Sequence, residues 1–499
     1  MPKETERAVN YKKIIIPLQL DDTPMNNDFE LMLSSIQAVA IRKIDDNDEK
    51  INQLIAEIKK YTDEKLSDVA STQLLASTKE STEAKVPVEQ KQENIDSESK
   101  AYFEKNAVMH GSTLIEFKGR DSASVVIPEG VTDILDYAFS SYSELFSSYS
   151  ELKDISIPST VTKIGESAFD NCPNLQSISV SPENPIFRSE NNCCIERETN
   201  RLVLGCSKSV IPEGVTAIGD FAFNDCENLT EIRIPASVAT IAEGAFYCCK
   251  SLQSIQVSAQ NPTYYAENNC CIEIKTHRLI IGCKNSIIPE GIVSIADRAF
   301  SGCSGLTDVN LPFGITEIER AAFSECDYLT EIRIPASVTT IAQGAFLACK
   351  NLQSIQVSDQ NSTYYSENNC CIEIKTHRLI FGCKNSIIPE GVVSIADYAF
   401  FDCYALSRIH IPRSVKSIGE SSFSECCNLT NVVIPDSISY IGDSAFAGML
   451  QPSVKRRKIF CELSRKPDGW AKNWTDKYSD AYWKDEWYYD KDGNPVVKS

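Results

Sequence analysis

The sequence predicts a strand-dominated solenoid of the α/β class, and three observations carry that expectation. A small-residue–Phe pair recurs at Phe139, Phe169, Phe223, Phe246, Phe300, Phe323, Phe346, Phe400, Phe423 and Phe446. The spacings are 30, 54, 23, 54, 23, 23, 54, 23 and 23 residues, so the unit is 23 residues and 54 is one unit plus a 31-residue insert. Each unit also carries short β-branched pieces, I-x-I-P and V-x-x-I, as in LTEIRIPASVTTIAQGAFLACKN at 329–351. Finally, a cysteine follows the Phe by three residues at Cys172, Cys226, Cys249, Cys303, Cys326, Cys349, Cys403 and Cys426. No such unit buries its apolar residues alone. Stacked at equal intervals, equivalent positions fall in register and build one continuous core. The β-branched pieces should be short parallel strands about 4.8 Å apart, and the Pro after I-x-I should end each strand at a corner.

From the N-terminus, residues 1–77 form a segment with a candidate strand at Lys13–Leu18 and a helical pattern over 28–77. Ile44, Ile51 and Ile58 sit seven apart, with Leu54 and Tyr61 between them. That short coiled-coil-like seam predicts an amphipathic helix that docks on itself or on a partner. Residues 78–100 are polar and nearly free of aromatics, which predicts a linker. Residues 101–447 are the repeat system, ten coils with three inserts. Its one odd spacing comes from SSYSELF at 140–146, which is duplicated at once as SSYSELK. Residues 448–499 hold all four Trp and predict an aromatic cap over the exposed end of the core.

The units IPEGVVSIADYAFFDCYALSRIHIP (388–412) and IPASVTTIAQGAFLACKNLQSIQV (334–357) resemble the BspA-type leucine-rich repeat, over roughly Ser124 to Ala447. The resemblance implies a curved leucine-rich-repeat solenoid lined with strands, and a protein-binding or adhesive role at a surface. It implies no catalytic residues and no cofactor. Within the C-terminal segment, WYYDKDGNPVV resembles a single copy of an aromatic cell-wall (choline) binding repeat.

The inserts concentrate the reactive residue types. NNCCIEIKTHRLIIGCKNS (268–286) returns at 368–386 and, more loosely, at 191–209, each with the spacing C-C-x11-C. Zinc requires a fourth ligand and typically a C-x2-C step. Adjacent cysteines on a strand face opposite ways, and the first copy has Asn200 where the others have His277 and His377. The expected element is instead a β-hairpin, with Asn or His at a turn position that tolerates positive φ. One cysteine of each pair should pack inward, and the hairpins should project from one edge as a second recruiting surface.

A net charge of −20 disfavours nucleic acid and anionic membranes as partners. The exception is the basic quartet Lys455-Arg456-Arg457-Lys458, expected to be a solvated edge. No segment approaches the ~20 apolar residues of a membrane span. The longest early apolar run, Ile14-Ile15-Ile16, is too short for a signal peptide. The expected location is therefore cytoplasmic, with the cell surface by a non-classical route as the alternative. The function expected is a non-enzymatic protein-binding scaffold, with Arg233, Asp308, Asn310, Arg333, Arg408 and His410 as candidate contacts for a protein partner. An adhesin for extracellular matrix or cell wall is the rival, and a thiol-redox or zinc protein the remote one.

Overall fold

The computed structural model describes residues 99–119, 122–139, 151–448, 456–476 and 479–498. The chain divides into two compact units, 1–91 and 92–499, and the described residues belong to the second. The candidate strand at Lys13–Leu18, the helix over 28–77 with its heptad seam, and the duplicated segment at 140–146 lie outside the described residues.

Each coil has three sides. The I-x-I piece forms a strand of up to four residues, such as Glu331–Ile334, paired in parallel and in register with Ser354–Val357. Ile332 and Ile334 point inward and are buried, while Arg333 points out. The period-two alternation follows from the pleat, and each fully buried Ile contributes roughly 1.5–3 kcal/mol. The V-x-x-I piece ends in a two-residue strand, as at Glu317–Ile318, pairing in parallel with Ser294–Ile295 and Thr340–Ile341.

The third side is made of turns that stack by hydrogen bonds. The Phe323 N–H donates to Ala345 O of the next coil at 2.8 Å, and Phe223, Phe300 and Phe423 do the same to Ala245, Ala322 and Ala445. The rings stack beneath these bonds, Phe300 on Phe323 at 5.0 Å and Phe323 on Phe346 at 5.4 Å. The recurring cysteine completes the turn. The thiols of Cys249, Cys326, Cys349 and Cys426 donate to the Phe carbonyl of the preceding coil at 3.0–3.3 Å. Cysteine suits the place because it is small, buried without difficulty, and a weak donor. Each coil also needs a left-handed residue before the small-residue–Phe pair and usually another before the cysteine, for example Ala321 (φ 53°) and Glu325 (φ 57°).

The long strands do not form one continuous sheet. They fall into four, broken at each insert: Ser124–Val126 through Ser177–Val180, Glu231–Ile234 with Ser254–Val257, Val309–Asn310 through Ser354–Val357, and Asn431–Ile434 onward. The last sheet continues beyond Ala447. Arg457–Cys461 pairs with Asn431–Ile434, and Ser479–Tyr482 pairs in turn with Arg457–Cys461. The tryptophans supply the other two sides of that coil. Trp470 bridges to Ile441, and Trp474 O accepts from the Phe446 N–H at 3.0 Å. The expected aromatic cap is thus a degenerate further coil with Trp where the repeat has Ile and Ala. At the other end residues 99–106 are helical, so a helix begins inside the segment read as a linker. Its Phe103 is buried against Phe117 at 5.4 Å.

Candidate binding surfaces and the cysteine-bearing inserts

Each insert is a three-stranded antiparallel meander and not a projecting hairpin. In the second, an outer strand Tyr264–Glu267 pairs with a middle strand Cys270–Glu273, which pairs with an inner strand Arg278–Ile281. The inner strand then pairs in parallel with Ser294–Ile295 and so enters the short-strand ladder. The three strands add rungs to the solenoid wall, which is why the long-strand sheets break there. The hairpin over the middle and inner strands was legible in the sequence, as was its turn: Asn200, His277 and His377 have φ of 54°, 56° and 53°. The outer strand was missed. Its signal was the Asn-Asn dipeptide, whose two residues both take positive φ (Asn268 49°, Asn269 59°), the demand of a two-residue hairpin turn.

Both cysteines of each pair are buried, not one. Cys270 packs with Ile272 and Leu279 into the core that follows the insert, and Cys271 packs with Ile281 and Cys283 into the core that precedes it. Cys193 and Cys194 divide in the same way, as do Cys370 and Cys371. The middle strand therefore stands between two core segments and must be apolar on both faces, which a Cys-Cys-Ile run satisfies without overfilling. Burial pushes the thiols of Cys193, Cys270 and Cys370 up to about 12. Thiols so shifted stay in the neutral form near pH 7. Among the described residues no three His, Cys, Asp or Glu side chains are grouped to hold a metal ion.

Two further devices fasten each insert. Asn261 is buried, and its amide nitrogen donates to Pro235 O (2.7 Å) and Val238 O (2.9 Å). Its oxygen accepts from the N–H groups of Thr263 (2.9 Å) and Tyr264 (2.8 Å). Asn184 and Asn361 repeat the same four bonds. Gly282 takes the place of a repeat Phe in the turn ladder, donating to Ala299 O at 2.8 Å. A Cβ there would sit 2.0 Å from the Phe300 ring, so only glycine fits.

The six candidate contacts are all exposed. Asn310 and Arg333 are brought together as direct partners across neighbouring strands. Asp308 lies two residues before Asn310, while Arg233 lies in a different sheet, opposite Gln256. Arg408 and His410 precede the fourth sheet and belong to no strand. The structure thus pairs Asn310 with Arg333 across strands, with Asp308 two residues away on the same stretch, while Arg408 and His410 form a second i,i+2 pair and Arg233 stands alone.

The basic quartet departs from expectation at one position. Arg457 is buried, and its guanidinium donates to the carbonyls of Leu429, Cys426 and Phe446, closing the end of the turn ladder. Burial lowers its pKa. Arg456 pairs with Asp480 at the surface, Lys458 is exposed, and Lys455 lies outside the described residues. In the aromatic C-terminal stretch, Trp487 is buried with its indole N–H on Cys461 O at 3.0 Å.

A family model described as BspA type leucine rich repeat region matches residues 115–193, 203–281, 272–381 and 378–454. Among solved structures, a leucine-rich repeat protein from Eubacterium ventriosum is 22% identical, covering 72% of this chain and 91% of that one, with a TM-score of 0.40. A leucine rich cell surface protein from Faecalibacterium prausnitzii is 22% identical over 68% of this chain and 91% of that one, TM-score 0.29. The pneumococcal vaccine antigen PcpA is 16% identical over 71% of this chain and 78% of that one, TM-score 0.28. No curated protein matches the chain.

Proposed function

The chain belongs to the BspA-type leucine-rich-repeat family, and from that premise we propose that it is a protein-binding scaffold without catalysis of its own. The observation that carries the reading is the contrast between the two faces of one strand. Inward positions such as Ile332 and Ile334 are uniformly apolar, while the outward positions change from coil to coil, Asn310 to Arg333 to Gln356. A rigid wall with a chemically varied exterior is how stacked repeats recognise extended partners. The contacts proposed are Arg233, Asp308, Asn310, Arg333, Arg408 and His410, with Asp308, Asn310 and Arg333 as the nucleus.

The test is differential capture. Protein recovered by the wild-type chain and lost with N310A/R333S, at an unchanged melting temperature, supports the reading. An identical catch from both chains contradicts it. Family membership also favours a second reading, adhesion at a cell surface. Labelling of the native protein on intact cells by a membrane-impermeant reagent is its expected signature, and strict retention inside would exclude it.

A further inference from the structure

The N-terminal hairpin repeats the middle and inner strands of an insert, and among the described residues no strand takes the outer place. Ala107–His110 pairs antiparallel with Thr113–Phe117, with Met109 opposite Leu114 and Val108 opposite Glu116, so that Ile115 is skipped. In the second insert Ile272 lies opposite Leu279 and Cys271 opposite Ile281, skipping Ile280. The downstream contacts match as well. Leu114 pairs in parallel with Ile134 as Leu279 does with Ile295, and Phe117 N–H donates to Ala138 O as Gly282 does to Ala299 O. Met109 therefore stands where Ile272 stands, and Ala107 where Cys270 stands.

In all three inserts the outer edge of those positions carries a strand: Tyr265 pairs with Ile272 and Glu267 with Cys270, and likewise in the other two copies. Beside Ala107–His110 no described strand is paired, and it forms the edge of its sheet. By the alternation of an antiparallel ladder, the N–H and C=O groups of Ala107 and Met109 face that edge. Met109 and His110 are exposed. The chain's own outer strands read Phe-Arg-Ser-Glu, Tyr-Tyr-Ala-Glu and Tyr-Tyr-Ser-Glu, always with a glutamate opposite the position equivalent to Ala107. Lys105, two residues before Ala107, is exposed.

The geometry points to the outer edge of Ala107–His110 as an acceptor for an extended antiparallel strand of a partner protein, with a carboxylate at the place facing Ala107. An unpaired edge is a template for strand addition, in which main-chain bonds supply affinity and side chains supply selectivity. This surface is separate from the Asn310–Arg333 cluster, so either can fail without the other.

The probe is a fluorescent peptide with the sequence of residues 260–268, QNPTYYAEN, titrated onto the full chain by anisotropy with amide exchange followed at Met109. Saturable binding with slowed exchange at Met109 is expected. Methylating the peptide nitrogens equivalent to Tyr265 and Glu267 should weaken binding at least tenfold. The variant Met109→Pro, which removes an outward N–H that the hairpin does not use, should weaken it similarly. If Met109→Pro does not fold, the methylated peptide on the wild-type chain decides alone. No saturable binding, or equal binding by the methylated peptide, overturns the proposal.

Discussion

The side-chain amide of Asn261 donates to Val238 O at 2.9 Å, fastening the start of an insert to the corner of the coil before it. All four hydrogen-bonding positions of that amide are filled, and it is buried. Removing it strands Val238 O and two N–H groups that water reaches poorly, and leaves Pro235 O with only the long bond from the Val238 N–H at 3.4 Å. Asn261→Ala should therefore cost about 3 kcal/mol and accelerate amide exchange at Thr263 and Tyr264 before the rest of the solenoid. Asn261→Asp keeps the acceptor but loses both donors, and should be destabilising as well. Urea midpoints and site-resolved exchange check both.

The junction between a run of coils and the next insert differs among the copies. Tyr264 Oη accepts from the Ile241 N–H at 3.1 Å, and Tyr364 Oη from the Ile341 N–H at 3.1 Å. The first insert has Phe187 in this place, which offers no such acceptor. Tyr264→Phe should cost about 1 kcal/mol, and Phe187→Tyr should raise the melting temperature. The reciprocal signs distinguish a hydrogen-bond effect from a packing effect.

Backbone conformation predicts two substitutions of opposite sign. Ala321 is held at φ 53°, where an L-residue is strained, so Ala321→Gly should stabilise by up to about 1 kcal/mol. Gly282→Ala should destabilise by several times that, because the added methyl meets the Phe300 ring. Thermal melts of the two variants test whether the turn ladder is as tight as the geometry implies.

Burial lifts the carboxyl of Asp170 to about 6, with Asp225 adding to the rise and Asn224 and Ser167 opposing it. Asp225 is itself shifted upward, again mainly by burial. A carboxyl whose folded pKa lies above its unfolded value binds its proton more tightly in the folded state. Stability then falls as pH rises from about 4 to 6 and stays reduced above that. Asp170→Asn should raise the melting temperature at pH 7.5, by the equivalent of about 3 kcal/mol, and leave it nearly unchanged at pH 4. An effect of equal size at both pH values would remove the carboxyl from the explanation.

The coil register was legible because it depends on residue types that recur at a fixed interval. Phe300, Phe323 and Phe346 announce the turn side, and Ile332 and Ile334 announce the long strand. The inserts were half legible. The middle and inner strands show alternation and a turn residue, whereas the outer strand Tyr264–Glu267 has no clear apolar alternation of its own and is announced only by the Asn268-Asn269 turn. A strand set between two core segments has no polar side, so both Cys270 and Cys271 pack inward where the alternation predicts only one. Arg457 was misread for the opposite reason. Charge in sequence suggests solvent, and nothing local shows that the carbonyls of Cys426, Leu429 and Phe446 await a donor.

The cysteines are rungs and fillers of a stacked core. The direct measurement is the rate and number of thiols that react with a disulfide reagent, in the native chain and in concentrated urea. Nineteen cysteines are buried and Cys427 is half-buried, all of them as free thiols. The prediction is at most one fast-reacting thiol in the native protein, twenty in urea without reductant, and no stoichiometric zinc released. Several fast native thiols, fewer than twenty in urea, or released zinc would contradict it.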